Sequence, residues 1–135
     1  MKPIVVLDTS IIVHSALAGL DLHEALMEVL ESRCRTLPLT HVIDELLNLL
    51  RSMSIYRRRV VRRYLETLLK RSMVIHVRVY PGELPDDIAL RVAYTLRGYL
   101  ATDDYELRRR ARRLGIPVIL FKSKERRLII IGETP

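Results

Sequence analysis

The sequence predicts an α/β domain built around a mostly parallel sheet. Short apolar runs such as Ile4–Leu7 alternate along the 135 residues with longer segments whose apolar residues have helical spacing. Strands buried on both faces of a parallel sheet have such continuous apolar runs. The length fits one hydrophobic core, so we expect a single domain over residues 1–135 with no internal repeat or linker.

The first half of the chain is predicted to hold two strands and four helices. Asp8-Thr9-Ser10 ends the first strand with polar residues suited to capping a helix, which Gly19 then closes. Thr40 is expected to cap the third helix, and the fourth has a heavily basic face. The predicted elements are a strand at 4–7, helices at 11–17 and 22–30, a short strand at 36–37, and helices at 42–53 and 55–70.

The second half alternates strands and helices more regularly. Residues 73–80 alternate β-branched and polar side chains, which is typical of a strand, before Pro81 and Gly82 end the run. Gly115 is expected to close a helix in the left-handed conformation. The predicted elements are strands at 73–80 and 100–102, helices at 86–97 and 105–114, and strands at 118–121 and 128–131.

Composition narrows the classes of function. The net charge of +7 is carried mainly by arginine, which favours an anionic partner, nucleic acid above all. Glutamine is absent and Asn48 is the one asparagine, a bias typical of thermophile proteins, so heat stability accounts for part of the arginine excess. Cys34 is the single cysteine, which excludes an internal disulfide and a cysteine-based zinc site.

No apolar run is long enough to cross a bilayer or to form a signal-peptide core, so a cytoplasmic protein is expected. The four histidines lack the spacing of paired metal ligands, and structural or surface roles are expected for them.

Acidic residues fall where an open α/β sheet places its active crevice, beyond the carboxyl ends of the strands. Asp8 follows the first strand and Asp103-Asp104 follows the strand at 100–102, while Asp86-Asp87 opens the preceding helix and Glu45 lies on the third. Each acid also has a possible local role. Asp8 could interact with a helix dipole, Asp86 or Asp87 could be an N-cap, and Glu45 could be a solvated helix residue. Asp103 and Glu106 could form a capping box.

Convergence of these acids would have a chemical consequence. Two unit charges 4 Å apart repel by about 4 kcal/mol at an effective dielectric constant near 20. A carboxylate cluster must therefore bind protons or a cation. A set of oxygen ligands without cysteine or paired histidine suits Mg²⁺ or Mn²⁺ and not zinc.

Four segments, in order, resemble the PIN-domain family of nucleases. They are residues 5–13 (VVLDTSIIV), 42–47 (VIDELL), 86–93 (DDIALRVA) and 100–107 (LATDDYEL), and the entry to the next strand at 115–119 (GIPVI) also fits. The resemblance covers nearly the whole chain. It implies a three-layer α/β/α PIN-like fold and hydrolysis of RNA phosphodiester bonds with Mg²⁺ or Mn²⁺.

The resemblance also implies site residues. Asp8, Glu45, Asp86 and Asp104 would be the catalytic metal-binding acids, with Asp86 favoured over Asp87 by its spacing to the following helix residues. Asp103 occupies the variable position, where a cap is expected, and Glu106 stands at the accessory acidic position. A hydroxyl of Thr9 or Ser10 is expected to contact water or phosphate.

Arginines are expected to bind RNA phosphates without regard to base sequence. One group lies on the helix beside Asp104 and a second on the fourth helix, where a solvated face is an equal alternative. With one phenylalanine and six tyrosines, base stacking is not expected to dominate. The first group is Arg108, Arg109, Arg110, Arg112 and Arg113, of which all but Arg110 are assigned to RNA binding, and the second is Arg57, Arg58, Arg59, Arg62 and Arg63.

Several biological roles fit this resemblance. A VapC-type toxin held by an antitoxin protein suits the small size, and a stand-alone RNA-processing or ribosome-maturation nuclease of archaeal type is the alternative. A receiver-like domain and a haloacid-dehalogenase phosphatase lack their required acids, the latter because residue 10 is serine. A non-catalytic RNA-binding domain remains open, and the apolar stretch at 42–53 favours a homodimer.

Overall fold

A five-stranded sheet forms the centre of the protein in a computed structural model that describes residues 2–132. The strands are β1 (Ile4–Leu7), β2 (Arg35–Pro38), β3 (Tyr99–Ala101), β4 (Val118–Lys122) and β5 (Arg127–Ile131). Their order is β2-β1-β3-β4-β5, and all neighbouring pairs are parallel except β4 and β5. The predicted mostly parallel sheet is confirmed. The ends of the expected domain, residues 1 and 133–135, lie outside the described residues.

Six helices complete the expected three-layer α/β/α arrangement. They are α1 (Thr9–Ala18), α2 (Leu22–Leu30), α3 (Thr40–Ser52), α4 (Ile55–Lys70), α5 (Pro85–Thr95) and α6 (Tyr105–Arg113), and a short 3₁₀ turn spans Ser123–Glu125. Each helix agrees with a predicted helix to within two residues at both ends. Across residues 2–132, the helices are all too short or too polar to cross a membrane.

The hydrophobic core lies on both faces of the sheet. Val5, Val6 and Leu7 of β1 are fully buried, which explains their continuous apolar run. The turn into β3 passes so close to β1 that a Cβ on Gly98 would lie 2.7 Å from the carbonyl oxygen of Ile4. Glycine at this position therefore permits the close approach of the two strands whose carboxyl ends hold the candidate site.

The predicted strand at 73–80 is wrong. Only Ile75 makes a bridge, to Leu39 beside the free edge of β2, and the rest of the segment has no regular structure. The carbonyl of Arg78 accepts a hydrogen bond from the Arg91 guanidinium at 2.6 Å instead of a neighbouring strand. Alternation of apolar side chains indicates which of them pack inward, but a strand also needs a partner backbone.

The helix ends correct one further expectation and confirm two. Thr40 does not cap α3: the N-cap is Leu39, and the Thr40 hydroxyl donates to the carbonyl of Ile75 at 3.0 Å. Gly19 and Gly115 have φ of 69° and 76°, the left-handed conformation expected at the ends of α1 and α6.

Candidate active site

Asp8 lies at the point of the sheet where the strand order reverses, directly beyond β1 and beside β3. Its backbone amide donates to the carbonyl of Ala101 at 3.0 Å. One carboxylate oxygen, Oδ2, accepts from the hydroxyls of Ser10 at 2.9 Å and Thr102 at 2.7 Å. Asp8 occupies the N-cap position of α1 without a side-chain cap hydrogen bond, because these two hydroxyls hold its carboxylate.

Thr102 joins the ends of the two strands. Its side chain is fully buried, and its hydroxyl oxygen accepts from the backbone amide of Asp104 at 3.1 Å while donating to Asp8. Asp104 in turn caps α6 through Oδ1, which accepts from the amide of Leu107 at 3.0 Å. The expected capping box of Asp103 with Glu106 is wrong, because the helix begins one residue later than that pattern requires.

Glu45 reaches the same edge of the sheet from α3. Its Oε2 accepts from the hydroxyl of Thr9 at 3.0 Å, a bond across 36 residues that ties α3 to the start of α1. The Thr9 and Ser10 hydroxyls, expected to contact water or phosphate, both donate to acids of the candidate site instead.

Asp86 faces the other three acids from the first turn of α5. Its partial burial, followed by the negative charges of Asp8 and Asp104, raises the pKa of Asp86 above its ordinary value, and Glu45 acts in the same direction. Asp8, Glu45 and Asp104 are thus each close enough to Asp86 to repel it electrostatically. We call these four residues the carboxylate group.

Asp87 is committed to other contacts. Its Oδ2 accepts from the amide of Leu84 at 2.9 Å, and its Oδ1 accepts from the guanidinium of Arg110. The Arg110 bond, and then the Leu84 amide, hold the pKa of Asp87 below its ordinary value. This geometry favours Asp86 over Asp87 as the residue that faces Asp8, Glu45 and Asp104.

The carboxylate group is an open arrangement with unsatisfied oxygens. Within residues 2–132, hydrogen bonds engage only one oxygen each of Asp8, Glu45 and Asp104, and neither oxygen of Asp86. In that part of the chain, no three acidic, histidine or cysteine side chains are close enough to enclose an ion. The donor chemistry, four carboxylates each with a free oxygen, nevertheless fits a hard divalent cation that retains bound waters.

Two further acids that flank Asp104 in the chain make contacts of their own. Glu106 has 71% of its side chain exposed and pairs with Arg109 at 3.4 Å. Asp103 points toward β4 and α1: its Oδ1 accepts from the amide of Phe121 at 2.7 Å, and its Oδ2 lies 2.7 Å from Nδ1 of His14.

Sequence reasoning missed two residues beside the carboxylate group. His41 precedes Glu45 by one helical turn; burial lowers its pKa, and the charges of Glu45, Asp8 and Asp86 oppose that effect. Arg110 binds Asp87 and partly offsets the raised pKa of Asp86. The four-residue spacing of His41 and Glu45 was the available signal, since such residues share a helix face.

The two arginine clusters differ in how far their charges are committed. On α4, Arg58 donates to the carbonyls of Leu50 at 2.9 Å and Met53 at 3.2 Å, so it closes the end of α3. On α6, Arg112 and Arg113 are exposed and make no ion pair within residues 2–132. Within the described residues, none of the α4 arginines pairs with an acid, whereas Arg109 and Arg110 of α6 do. The α6 cluster is distinguished instead by its position, because its helix begins directly after Asp104.

Comparisons with known proteins agree with this architecture. A family model described as a PIN like domain matches residues 5–124. The solved structure of the PIN domain endonuclease Utp24 is similar, with a TM-score of 0.76 and 22% identity over 97% of this chain and 92% of that one. A PilT N-terminus domain protein from the archaeon Sulfolobus solfataricus P2 has a TM-score of 0.51 and 20% identity, covering 90% and 88% of the two chains. No curated protein matches by sequence.

Proposed function

Because the chain belongs to the PIN-like domain family, we propose that it is a metal-dependent endoribonuclease. The observation that carries the proposal is the carboxylate group at the carboxyl ends of β1 and β3, in which mutual repulsion contributes to the raised pKa of Asp86. Carboxylates that repel a neighbouring carboxylate are stabilised when protons or a cation neutralise them.

Asp8, Glu45, Asp86 and Asp104 would hold Mg²⁺ or Mn²⁺ through their free oxygens. A bound ion of this kind lowers the pKa of a bound water and stabilises negative charge on the leaving oxygen. The hydroxyls of Thr9, Ser10 and Thr102 fix the orientation of two of these carboxylates. Such supporting hydrogen bonds commonly orient metal-binding side chains.

The arginines of α6 would bind the RNA backbone. Arg108, Arg109, Arg112 and Arg113 lie on the helix that begins directly after Asp104. Arg108 and Arg109 are about one turn from Asp104, so a phosphodiester at the carboxylate group lies near them. Arg112 and Arg113 lie towards the other end of α6, beside Val118 and Ile131, and would bind phosphates further along the RNA. Phosphate contacts of this type position a nucleic acid and carry no base specificity.

Cleavage of a labelled single-stranded RNA by the purified protein tests the proposal. We expect internal cleavage with Mg²⁺ or Mn²⁺ and none in EDTA, because the carboxylates alone provide no electrophile. RNA binding without cleavage, across several RNAs and both metals, would contradict the proposal and favour a non-catalytic RNA-binding domain. Cleavage that persists in EDTA would contradict the role of the metal.

Replacing Thr102 by valine tests the orientation of Asp8. Valine keeps the shape of the buried side chain but removes the hydroxyl that binds Asp8 and accepts from the Asp104 amide. We expect metal-dependent cleavage to fall by about 10- to 100-fold, the usual effect of losing a hydrogen bond that orients a metal ligand. The matched control is Thr67→Val, because the Thr67 hydroxyl only donates to a carbonyl within α4 and its loss should leave the rate unchanged. Equal rates for the two variants would contradict the proposed orientation.

The same chemistry serves both biological roles considered from the sequence, a toxin blocked by an antitoxin and an RNA-processing enzyme. The two differ in expected behaviour: expression of a toxin alone arrests growth, and a small partner protein restores it. A homodimer also forms part of the proposal, supported by apolar α3 side chains such as Leu47, which is 50% exposed.

A further inference from the structure

A recess of about 540 Å³ opens beside the carboxylate group, between the end of α1 and the end of β4. Its walls combine apolar and polar side chains, and we call it the His14 recess. The residues that matter for its chemistry are His14, Leu17, Ala18, Asp103, Arg108 and Phe121. The proposed catalysis uses none of these except Arg108.

The His14 recess shares a wall with the carboxylate group. Ser10 donates to the Asp8 carboxylate, and its hydroxyl oxygen accepts from the backbone amide of Asp103 at 3.0 Å. His14 follows Ser10 by one turn of α1, a rise of about 6 Å along the helix axis. An RNA with one phosphate at the carboxylate group therefore has its neighbouring nucleotide within reach of the recess.

The acidic group in the recess already has hydrogen-bond partners. Asp103 accepts from the amide of Phe121 and contacts Nδ1 of His14, and this pair also fixes the imidazole orientation. An ionised carboxylate can only accept hydrogen bonds, so the His14 tautomer that matches an ionised Asp103 has its proton on Nδ1 and leaves Nε2 for another partner.

Arg108 differs from Asp103 in lacking a partner for its buried polar atom. Its Nε is buried without a hydrogen-bond partner, and within residues 2–132 its guanidinium makes no ion pair, whereas the neighbouring Arg109 and Arg110 pair with acids. At the rim, Arg126 donates to the carbonyl of Ala18 at 2.8 Å and adds a second positive charge. A buried donor without a partner is costly, so an anionic ligand on Arg108 would remove a penalty as well as add a contact.

The apolar wall faces these charges. Leu17 is 41% exposed and lies with the half-buried Phe121 ring along the same recess. A nucleotide has both required parts, since its phosphate can bind a guanidinium and its base can pack on an apolar or aromatic surface.

We infer that the His14 recess binds one nucleotide of the RNA, adjacent to the phosphodiester at the carboxylate group. Its phosphate binds Arg108, its base packs on Leu17 and Phe121, and His14 Nε2 contacts a polar edge of the nucleotide. The inference rests on the proposed function, because it extends the path of the same RNA substrate.

Binding of a short fluorescent single-stranded RNA in EDTA tests this inference without cleavage. Arg108→Gln is expected to weaken binding by about tenfold, the effect of losing a hydrogen bond to a charged group. Arg109→Gln is the matched control: it removes the same charge from the same helix but from an exposed ion pair, so a smaller loss is expected. Equal losses for the two variants would overturn the inference.

A second pair of variants avoids the partly buried Arg108. Leu17→Glu is expected to weaken RNA binding and Leu17→Lys to strengthen it, because this exposed side chain points into the recess. Met27→Glu, at an exposed position of α2, controls for net charge and should weaken binding less. If Leu17→Glu behaves like Met27→Glu, the recess does not hold RNA.

Titration with nucleoside 5′-monophosphates separates this inference from the proposed catalysis. The imidazole NMR signals of His14 are expected to shift with the nucleotide, and to shift less in Arg108→Gln. A protein that shows these shifts but never cleaves RNA would refute the nuclease and support the recess. A protein that cleaves RNA with unchanged His14 signals and identical KM for Arg108→Gln and Arg109→Gln would refute the recess alone.

Discussion

Replacement of Asp8 by asparagine is expected to abolish metal-dependent RNA cleavage while the protein stays folded. Asparagine has the same shape, and its carbonyl oxygen can still accept from the hydroxyls of Ser10 and Thr102. The negative charge at the centre of the carboxylate group is lost, however. The rate should fall by more than about 100-fold, since losing a ligand costs more than losing a hydrogen bond that supports one.

Three measurements make this experiment decisive. Initial cleavage rates with Mg²⁺ and Mn²⁺ give the loss, circular dichroism shows that the fold remains, and anisotropy shows that RNA still binds. The matched control is Asp44→Asn, which removes the same charge from an exposed side chain next to Glu45 and should retain the wild-type rate within a few-fold. An Asp8→Asn protein that kept a tenth of wild-type activity would exclude Asp8 as an essential ligand.

Addition of Mg²⁺ or Mn²⁺ is expected to stabilise the protein strongly against heat. A ligand that binds only the folded state stabilises it by about 2.7 kcal/mol at a concentration 100 times its Kd. For a domain of this size, that corresponds to an increase in Tm on the order of 10 °C. Melting curves in EDTA and in each metal measure the effect, and the increase should vanish in Asp8→Asn. An unchanged Tm at millimolar metal would contradict the proposed site.

The pKa of Asp86 gives this stability a pH dependence without metal. Because burial and neighbouring carboxylates raise the folded-state pKa, the folded protein binds more protons than the unfolded chain between the ordinary pKa of 3.8 and the raised value. The free energy of unfolding in EDTA should therefore fall as pH rises through this window and then level off. Asp86→Asn should lose this component and be more stable than wild type near neutral pH, as measured by urea unfolding. A variant less stable than wild type in EDTA would contradict repulsion at Asp86.

The sequence predicted much of the fold because its signals are local. The apolar run of β1, the helical spacing of α2 and α4, and the glycines after α1 and α6 each depend on a few neighbouring residues. The strand predicted at 73–80 was wrong for the same reason. The alternation of its apolar and polar side chains is a local signal, whereas strand pairing depends on the position of another backbone. The predicted N-cap of α6 was wrong because Asp103 and Asp104 are both suitable capping residues. In the structure Asp104 caps the helix, while the Asp103 carboxylate contacts Phe121 and His14.

The sequence by itself determined that an α/β domain would place Asp8 and Asp104 beyond two strands, because strand ends follow directly from the pattern of burial. Only the tertiary structure decided which acids share one space. In the structure Asp87 binds the guanidinium of Arg110, whereas Asp86 faces the other carboxylates. Glu106 forms an exposed ion pair. His41 and Arg110 lie beside the carboxylates. These outcomes depend on contacts between residues distant in the chain, and the direction of a side chain follows from such contacts and not from the residue type.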